Sequence, residues 1–349
     1  GKRFTYYMIV ENLGMPTIKD VASEAGVSIA TVSAVINGTR PVSDATRRRV
    51  EAVIQRLGYQ PNRMAQGLKQ GKSRIIAYIL PSVTNPFFPS MLKGVEDIAY
   101  EADYSVLVCN TEMEPRRINR YSQLIREMQI DGVIITSPGL GVIHELVGCL
   151  NQRGITSIVL HGPRSIESVD RVLVDDEECG YLASSYLAQE GHGKIGFIGV
   201  CGSTTSWLRY QGFVRGLHSF GLKASEEYVC LGEGFSQQEG HRLGRILLDN
   251  QASPTGIVAA NDLMAIGLWE AVLEAGLHVP EDVSLIGIDN TLAALLRPRM
   301  ASVRIPTYEM GRAAAKQLLA RIDGSAKGPP MTICLQPELV SGSTITALR

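Results

Sequence analysis

The chain has 349 residues, 45% of them hydrophobic and 20% charged, with a formal net charge of −1. That length exceeds one ordinary domain, so two or three structural units are expected. No apolar run approaches the roughly 18 residues that a membrane-spanning helix needs, and the polar N-terminal segment offers no h-region for a secretion signal. A cytoplasmic protein without a membrane partner is expected. The six cysteines are scattered and form no C-x-x-C pair, which points to buried reduced thiols and away from a metal site or metal cofactor. The near-zero charge hides an asymmetry. Residues 1–74 carry 12 Lys/Arg against 5 Asp/Glu, so the head is basic and the remainder acidic. A basic head on an acidic body suits a polyanion at the head alone.

Residues 1–14 show no periodicity and receive no assignment; Met15 reads as a start. Thr17 is expected to cap a helix over 18–25, with Ile18, Val21, Ala22 and Ala25 on one face. Gly26 ends it with a residue that tolerates positive φ. Ser28 caps a second helix over 29–36, with Val32 and either Val35 or Ile36 inward. After the turn "NGTRPVS", Ser43 caps a third helix over 44–57, with Val50, Val53, Ile54 and Leu57 inward, and Gly58 closes it. Two short helices about a glycine turn, completed by a third, form a helix-turn-helix. The second helix has a small outer face of Ala30, Ser33, Ala34 and Asn37, which leaves it free to enter a major groove.

The segment "YQPNRMAQGLKQGKSR" that follows is bounded by Pro61 and Gly71 and carries Gly67. It is too short to be a stable helix alone, and is expected to be a linker that becomes helical only when held. From Arg74 onward apolar strand-like runs alternate with amphipathic helical ones: "RIIAYIL", "YSVLVCN", "DGVIITS", "ITSIVLH", "RVLVDD", "KIGFIGV", "GIVAAND", "VSLIGID" and "SVRIP". Near-continuous apolar strands separated by helices predict parallel sheets covered on both faces. The pattern nearly restarts between 75–160 and 171–289, which predicts two similar doubly wound lobes. Ligands of such sheets sit at the carboxyl ends of the strands, and a cleft between lobes is a natural small-molecule site.

From about Pro16 to the C-terminus the sequence resembles the LacI family of bacterial transcription regulators. The resemblance rests on the head motif "TIKDVASEAGVSIATVSAVINGTRPVSDATRRRVEAVIQRLGYQPN" and on "VTNPFF", "AANDLMAIG", "VSLIGIDN" and "RPRMASVRIP" in the body. It implies an all-α helix-turn-helix headpiece over 16–60, a hinge helix or linker over 61–74, and a periplasmic-binding-protein-like α/β core over 75–349. Lobe 1 would comprise about 75–162 and 291–323, lobe 2 about 163–290 and 324–349. It further implies a homodimer, or a dimer of dimers, on near-palindromic operator DNA, controlled by a small-molecule effector; without a leucine-heptad tail the dimer is favoured.

By the same resemblance, Ile29, Ala30 and Ala34 would read bases, although many members carry long polar side chains there. Ile29 and Ala30 offer only apolar contact, for example to a thymine methyl. Thr17, Ser28, Thr31, Ser33, Asn37, Ser43, Thr46 and Tyr59 match phosphate-contacting positions, which set register and not sequence preference. Asn62, Ala65 and Leu68 fall in the hinge, with Leu68 as a minor-groove wedge and Ala65 facing the partner hinge. In the core the matching effector positions are Ser82, Asn85, Phe87, Phe88, His161, Asp175, Arg209, Phe235, Asn261 and Asp289. Forked donors, carboxylate acceptors and aromatic faces together suit a sugar or sugar acid. Each has a plainer structural role open to it: Asn261 as a helix cap, one of Phe87 and Phe88 as core, the head hydroxyls as caps.

The sequence leaves two other classes to consider, an enzyme and a transport-type binding protein. No G-x-S-x-G, Walker A or dinucleotide G-x-G-x-x-G pattern occurs, "GKS" at 71–73 lacks the preceding glycine, and no organic cofactor is implied, so an enzyme is not expected. A sugar-binding protein with a non-specific or inactive DNA head is the alternative.

Overall fold

The computed structural model describes residues 16–60, 72–136, 140–162, 165–249 and 253–348. The N-terminal extension and the hinge positions Asn62, Ala65 and Leu68 lie outside the described residues. The chain divides into two compact units, Gly1–Ser73 and Arg74–Arg349.

The first unit holds three helices, α1 (Ile18–Glu24), α2 (Ile29–Asn37) and α3 (Asp44–Leu57). Val21 and Ala22 of α1, Val32 and Val35 of α2, and Val50 and Val53 of α3 bury one small apolar cluster, and Ile36, Ile54, Leu57 and Tyr59 pack on its rim. Every helix begins on a hydroxyl cap: Thr17, Ser28 and Ser43 each accept from a backbone N–H three residues on. Gly26 joins α1 to α2 at φ 62°, and a Cβ there would meet nothing within 4 Å. Conformation and not space therefore demands glycine, because an L-residue with a side chain is strained in the left-handed region.

The second unit is an α/β core of two six-stranded sheets. The first stretch runs β1 (Ile75–Leu80), α4 (Phe87–Glu101), β2 (Ser105–Asn110), α5 (Pro115–Glu127), β3 (Gly132–Thr136), α6 (Leu140–Gln152), β4 (Thr156–Leu160) and β5 (Asp170–Val174). The second runs α7 (Asp176–Gln189), β6 (Ile195–Val200), α8 (Thr204–Ser219), β7 (Val229–Gly232), α9 (Gln237–Leu248), β8 (Gly256–Ala259), α10 (Asp262–Glu274), β9 (Ser284–Asp289) and β10 (Ala301–Arg304). Then come α11 (Thr307–Asp323), β11 (Thr332–Leu335) and β12 (Glu338–Val340). Sheet 1 has the order β11-β5-β4-β3-β1-β2 and sheet 2 the order β12-β10-β9-β8-β6-β7. All pairings are parallel except β10 with β12. Every residue of β3, β6 and β9 is buried, as strands covered by helices on both faces must be.

The three chain crossings fall later than the expected boundaries near 162, 290 and 323. Strand β5 stays in sheet 1, where Val172 pairs with Leu160, and Asp170 is tied to Arg321 of α11. Strand β10 belongs to sheet 2, although 291–323 was expected in lobe 1, and β11 returns to sheet 1, although 324–349 was expected in lobe 2. The crossings are therefore bracketed by β5/β6, β10/α11 and β11/β12. Strands β7, β11 and β12 lie outside the expected set: each has only three or four residues with half-exposed positions, too short for a buried-strand pattern.

Candidate functional site

In the head, the outward tip of α2 carries Ile29, 45% exposed, and the exposed Ala30. Ala34 does not belong to this reading surface. It is 2% exposed and lies with Val32 and Val35 on the buried side of α2, whereas Ala30 one turn earlier is exposed, so Ala34 is no base contact. Three of the hydroxyls expected at phosphate, those of Thr17, Ser28 and Ser43, cap the head helices. The Thr17 hydroxyl donates to Asp20 Oδ2 at 2.7 Å, and Thr17 Oγ1 accepts from Asp20 N–H at 3.4 Å. Ser28 Oγ accepts from Thr31 N–H at 3.1 Å, and Ser43 Oγ donates to Thr46 Oγ1 at 2.9 Å. Asn37 donates to the Ser33 carbonyl at 2.9 Å, and Arg40 donates to Thr31 Oγ1 at 3.3 Å. Tyr59 is half-buried on the head core. Helices α1 and α3 carry Asp20 and Asp44 in their first turns, whereas α2 begins without an acidic residue. The N-terminus of α2 is thus the one of the three whose dipole is not already answered by a carboxylate, and Arg40 stands beside it.

In the core, most of the expected effector residues lie at or just beyond strand carboxyl ends: Ser82 and Asn85 after β1, His161 after β4, Asp175 after β5, Asn261 after β8 and Asp289 at the end of β9. The geometry gathers only some of them. Arg209, on α8 with a side chain 3% exposed, donates through Nε to Asp176 Oδ1 at 3.0 Å. Its Nη1 donates to the Ala260 carbonyl and lies 3.5 Å from Asp289 Oδ1. Asp176 Oδ2 in turn lies 3.7 Å from His161 Nε2, which links the end of β4 in sheet 1 to α7. The ring of Phe87 packs edge-on against His161 at 5.0 Å and against Phe88 at 5.3 Å. A cavity of about 370 Å³ is lined by Pro86 and Ser90 from lobe 1 and by Asp289 and Asn290 from lobe 2.

The electrostatics follow from burial against charge. Burial raises the Asp289 carboxyl well above the ordinary carboxylate range, and the Arg209 charge offsets this only in part. For Asp176 burial also acts upward, but the Arg209 charge and hydrogen bond, with His161 close by, win, and the carboxyl is held below its usual value. Arg209 is shifted upward because its two carboxylates outweigh desolvation.

The remaining expected residues do local work. Asp175 caps α7, accepting from Glu178 N–H at 3.2 Å, so the aspartate that meets Arg209 is its neighbour, Asp176. Asn261 is 3% exposed and its Oδ1 accepts from Met264 N–H at 2.9 Å as the cap of α10. Ser82 Oγ serves Thr84 N–H at 3.2 Å, and Asn85 Oδ1 accepts from Phe87 N–H at 3.1 Å. Phe235 is half-buried against the lobe 2 core. Sequence reasoning missed Asp176, Asn290 and Asp262. Asp262 Oδ2 accepts from the N–H groups of Thr291, Leu292 and Ala293 at 2.9, 3.0 and 3.0 Å, and Oδ1 accepts from Ser302 Oγ at 2.7 Å. This one carboxylate fixes the loop behind Asp289. The "DD" and "ND" doublets held the signal, but only helix phase tells the cap from the residue after it.

A second cavity, about 680 Å³, lies beside α8 and β7 and is lined by Trp207, Tyr210, Val229 and Leu231, away from the Arg209 cluster. Among the described residues no group of His, Cys, Asp and Glu is placed to hold a metal, and no helix is long and apolar enough to cross a membrane.

Comparison with known proteins agrees with both units. The family described as "Bacterial regulatory proteins, lacI family" matches residues 17–62, and a periplasmic binding protein-like domain matches residues 185–345. The HTH-type transcriptional repressor PurR of Actinobacillus pleuropneumoniae is 34% identical over 338 residues, covering 96% of this chain and 100% of that protein. The chain belongs to the LacI family. Solved members of the family share its fold over nearly the whole chain. The lac repressor dimer bound to operator and the anti-inducer ONPF has a TM-score of 0.84 at 26% identity, covering 95% of this chain and 99% of that one. The transcriptional regulator CelR in complex with cellobiose has a TM-score of 0.73 at 29% identity, covering 94% and 99%.

Proposed function

We propose that this LacI-family member is a sequence-specific transcriptional repressor, without enzymatic activity, that acts as a homodimer on near-palindromic operator DNA. A small molecule of the sugar class, bound between the core lobes, controls its operator affinity. The observation that carries the reading is the coexistence of an unblocked helix N-terminus at α2 with a buried Asp176–Arg209–Asp289 cluster beside an inter-lobe cavity. The head can meet phosphate and base edges. The cluster offers oriented donors and acceptors to a polar ligand. Because His161 comes from lobe 1 and Asp176 opens the first helix of lobe 2, a ligand that touches both lobes beside this pair changes lobe closure. Coupling of that kind is typically worth about 1–3 kcal/mol and is reciprocal. Ile29 and Ala30 read thymine methyls, and the head hydroxyls and the Asn37 amide set register on phosphate.

The test is selection of genomic fragments by the purified protein at physiological salt, where non-specific phosphate binding is weak. One recovered near-palindrome supports the reading. Binding that appears only at low salt, with no common sequence, would sink it in favour of a sugar-binding protein with an inactive head.

A further inference from the structure

We propose that the cavity of about 680 Å³ beside α8 and β7 is a second ligand site, and that it takes an organic cation with a flat apolar body, of the arylalkylamine class. The site is separate from the inter-lobe cleft. Successive residues of a helix turn by about 100°, so Trp207 and Arg209, two residues apart, leave α8 on nearly opposite sides. Arg209 reaches Asp176 of α7, whereas Trp207 lines the cavity together with Val229 and Leu231 of β7. Strand β7 is the last strand of sheet 2 and pairs with β6 alone, so among the described residues no further strand covers this flank. Two large apolar side chains stand open on the cavity wall: Trp207 is 58% exposed and Leu231 is 49% exposed. Single exposed apolar residues are ordinary, but two on one concave wall of this volume mark a binding site.

The aromatic part of the site is braced from below. Tyr210 stacks on Phe213 at 6.0 Å and tilts against Phe197 at 5.5 Å, and both phenylalanines are fully buried. Trp207 lies 6.0 Å from Tyr210 with its ring inclined by 38°. The serines on the wall are already spent. Ser203 Oγ accepts from Ser206 N–H at 3.2 Å as the cap of α8, and Ser206 Oγ accepts from Val200 N–H at 2.8 Å. The positive end of α8 is thereby partly answered. Glu226 opens the short turn before β7 and lines the cavity, and its carboxylate makes no ion pair or hydrogen bond among the described residues. Its neighbour Glu227 instead accepts from the Ser225 hydroxyl at 3.1 Å. A carboxylate beside two electron-rich rings attracts a cation in two ways, by ion pairing and through the ring quadrupoles. An anion would meet the same carboxylate as a like charge. The apolar body of the ligand lies on Val200, Val229 and Leu231, and its ammonium group stays at Glu226.

The test uses the full-length protein and two sets of probes that keep one skeleton and change its charge: phenethylamine, phenylethanol and phenylacetate, then tryptamine, tryptophol and indoleacetate. Calorimetry reads the dissociation constants. The amines are expected to bind at millimolar concentration or tighter, about tenfold more tightly than the matching alcohols, with the acids weakest. In Glu226→Gln the gap between amine and alcohol falls to about threefold or less. In Trp207→Ala amine and alcohol both weaken. Both residues are exposed, so the variants keep the fold, which a cooperative urea transition verifies. Phenethylamine, which has no indole of its own, also changes the tryptophan emission, and this change is absent from Trp207→Ala, where Trp269 is the tryptophan that remains. An alcohol or acid that binds as tightly as its amine overturns the inference. So does amine binding left unchanged by either variant, or the failure of both amines to bind. Operator DNA plays no part in these measurements, so their failure leaves the repressor reading standing.

Discussion

The cluster around Arg209 depends on how closely α7 and α8 approach, and Gly212→Ala tests that dependence. A Cβ at Gly212 would stand 1.7 Å from the Glu177 carbonyl oxygen and 2.8 Å from Tyr181 N. The reverse side is equally tight, since a Cβ at Gly180 would lie 1.8 Å from the Arg209 carbonyl oxygen. Ordinary contact begins near 3.5 Å, so the methyl forces the helices apart by roughly 1.8 Å at that point. Glu177 adjoins Asp176, and Gly212 lies one turn beyond Arg209. A shift of that size takes the 3.0 Å bond between Arg209 and Asp176 out of hydrogen-bond range. Overpacking of a core costs about 1–3 kcal/mol, and loosening a buried ion pair adds to it, so a loss of about 3 kcal/mol is expected. For a unit of this size that lowers the melting temperature by roughly 5–10 °C. Urea denaturation of the full chain measures the loss, and calorimetry measures the accompanying drop in ligand affinity. A midpoint within about 0.5 kcal/mol of wild type, the range of an inconsequential surface change, would refute the close-packing argument.

Three further outcomes are expected. Replacing with uracil the operator thymines that face Ile29 and Ala30 removes only methyl groups; each methyl lost from apolar contact lowers affinity by about fourfold, and unchanged binding in a gel-shift titration would exclude methyl readout. Arg321→Ala leaves Asp170 buried with only Gln317 and the Met331 N–H as partners; it lowers stability by about 3 kcal/mol in urea denaturation, and a loss below about 1 kcal/mol would show that Arg321 does not hold β5 to α11. His192 is 2% exposed, bonded to Thr255 Oγ1 at 3.0 Å and to the Thr346 carbonyl at 3.1 Å, and burial lowers its pKa from the ordinary 6.5. The unfolded chain therefore takes up a proton first, so stability is full above pH 6.5 and falls as pH drops below it; in His192→Gln the urea midpoint changes less between pH 7 and 5, and an identical pH slope would exclude His192 as the source.

The sequence by itself determined the local structure of this protein. The hydroxyls at Thr17, Ser28 and Ser43 and the left-handed glycine at 26 mark the head helices to within a residue, because caps and turns are short-range chemistry. Buried parallel strands announce themselves as apolar runs, so the alternating α/β core was legible as well, and so was Arg209 as its central cation. Only the tertiary structure decided which sheet each strand joins. Strand β11 pairs with β5 across more than 150 residues of chain, and its four half-exposed residues carry no pattern that names the partner. It likewise decided that Asp176 and not Asp175 meets Arg209, and that Ala34 is buried. Capping and hydrophobic period act over a few residues, whereas the site is made by chain segments that meet only after two sheets and their helices have packed.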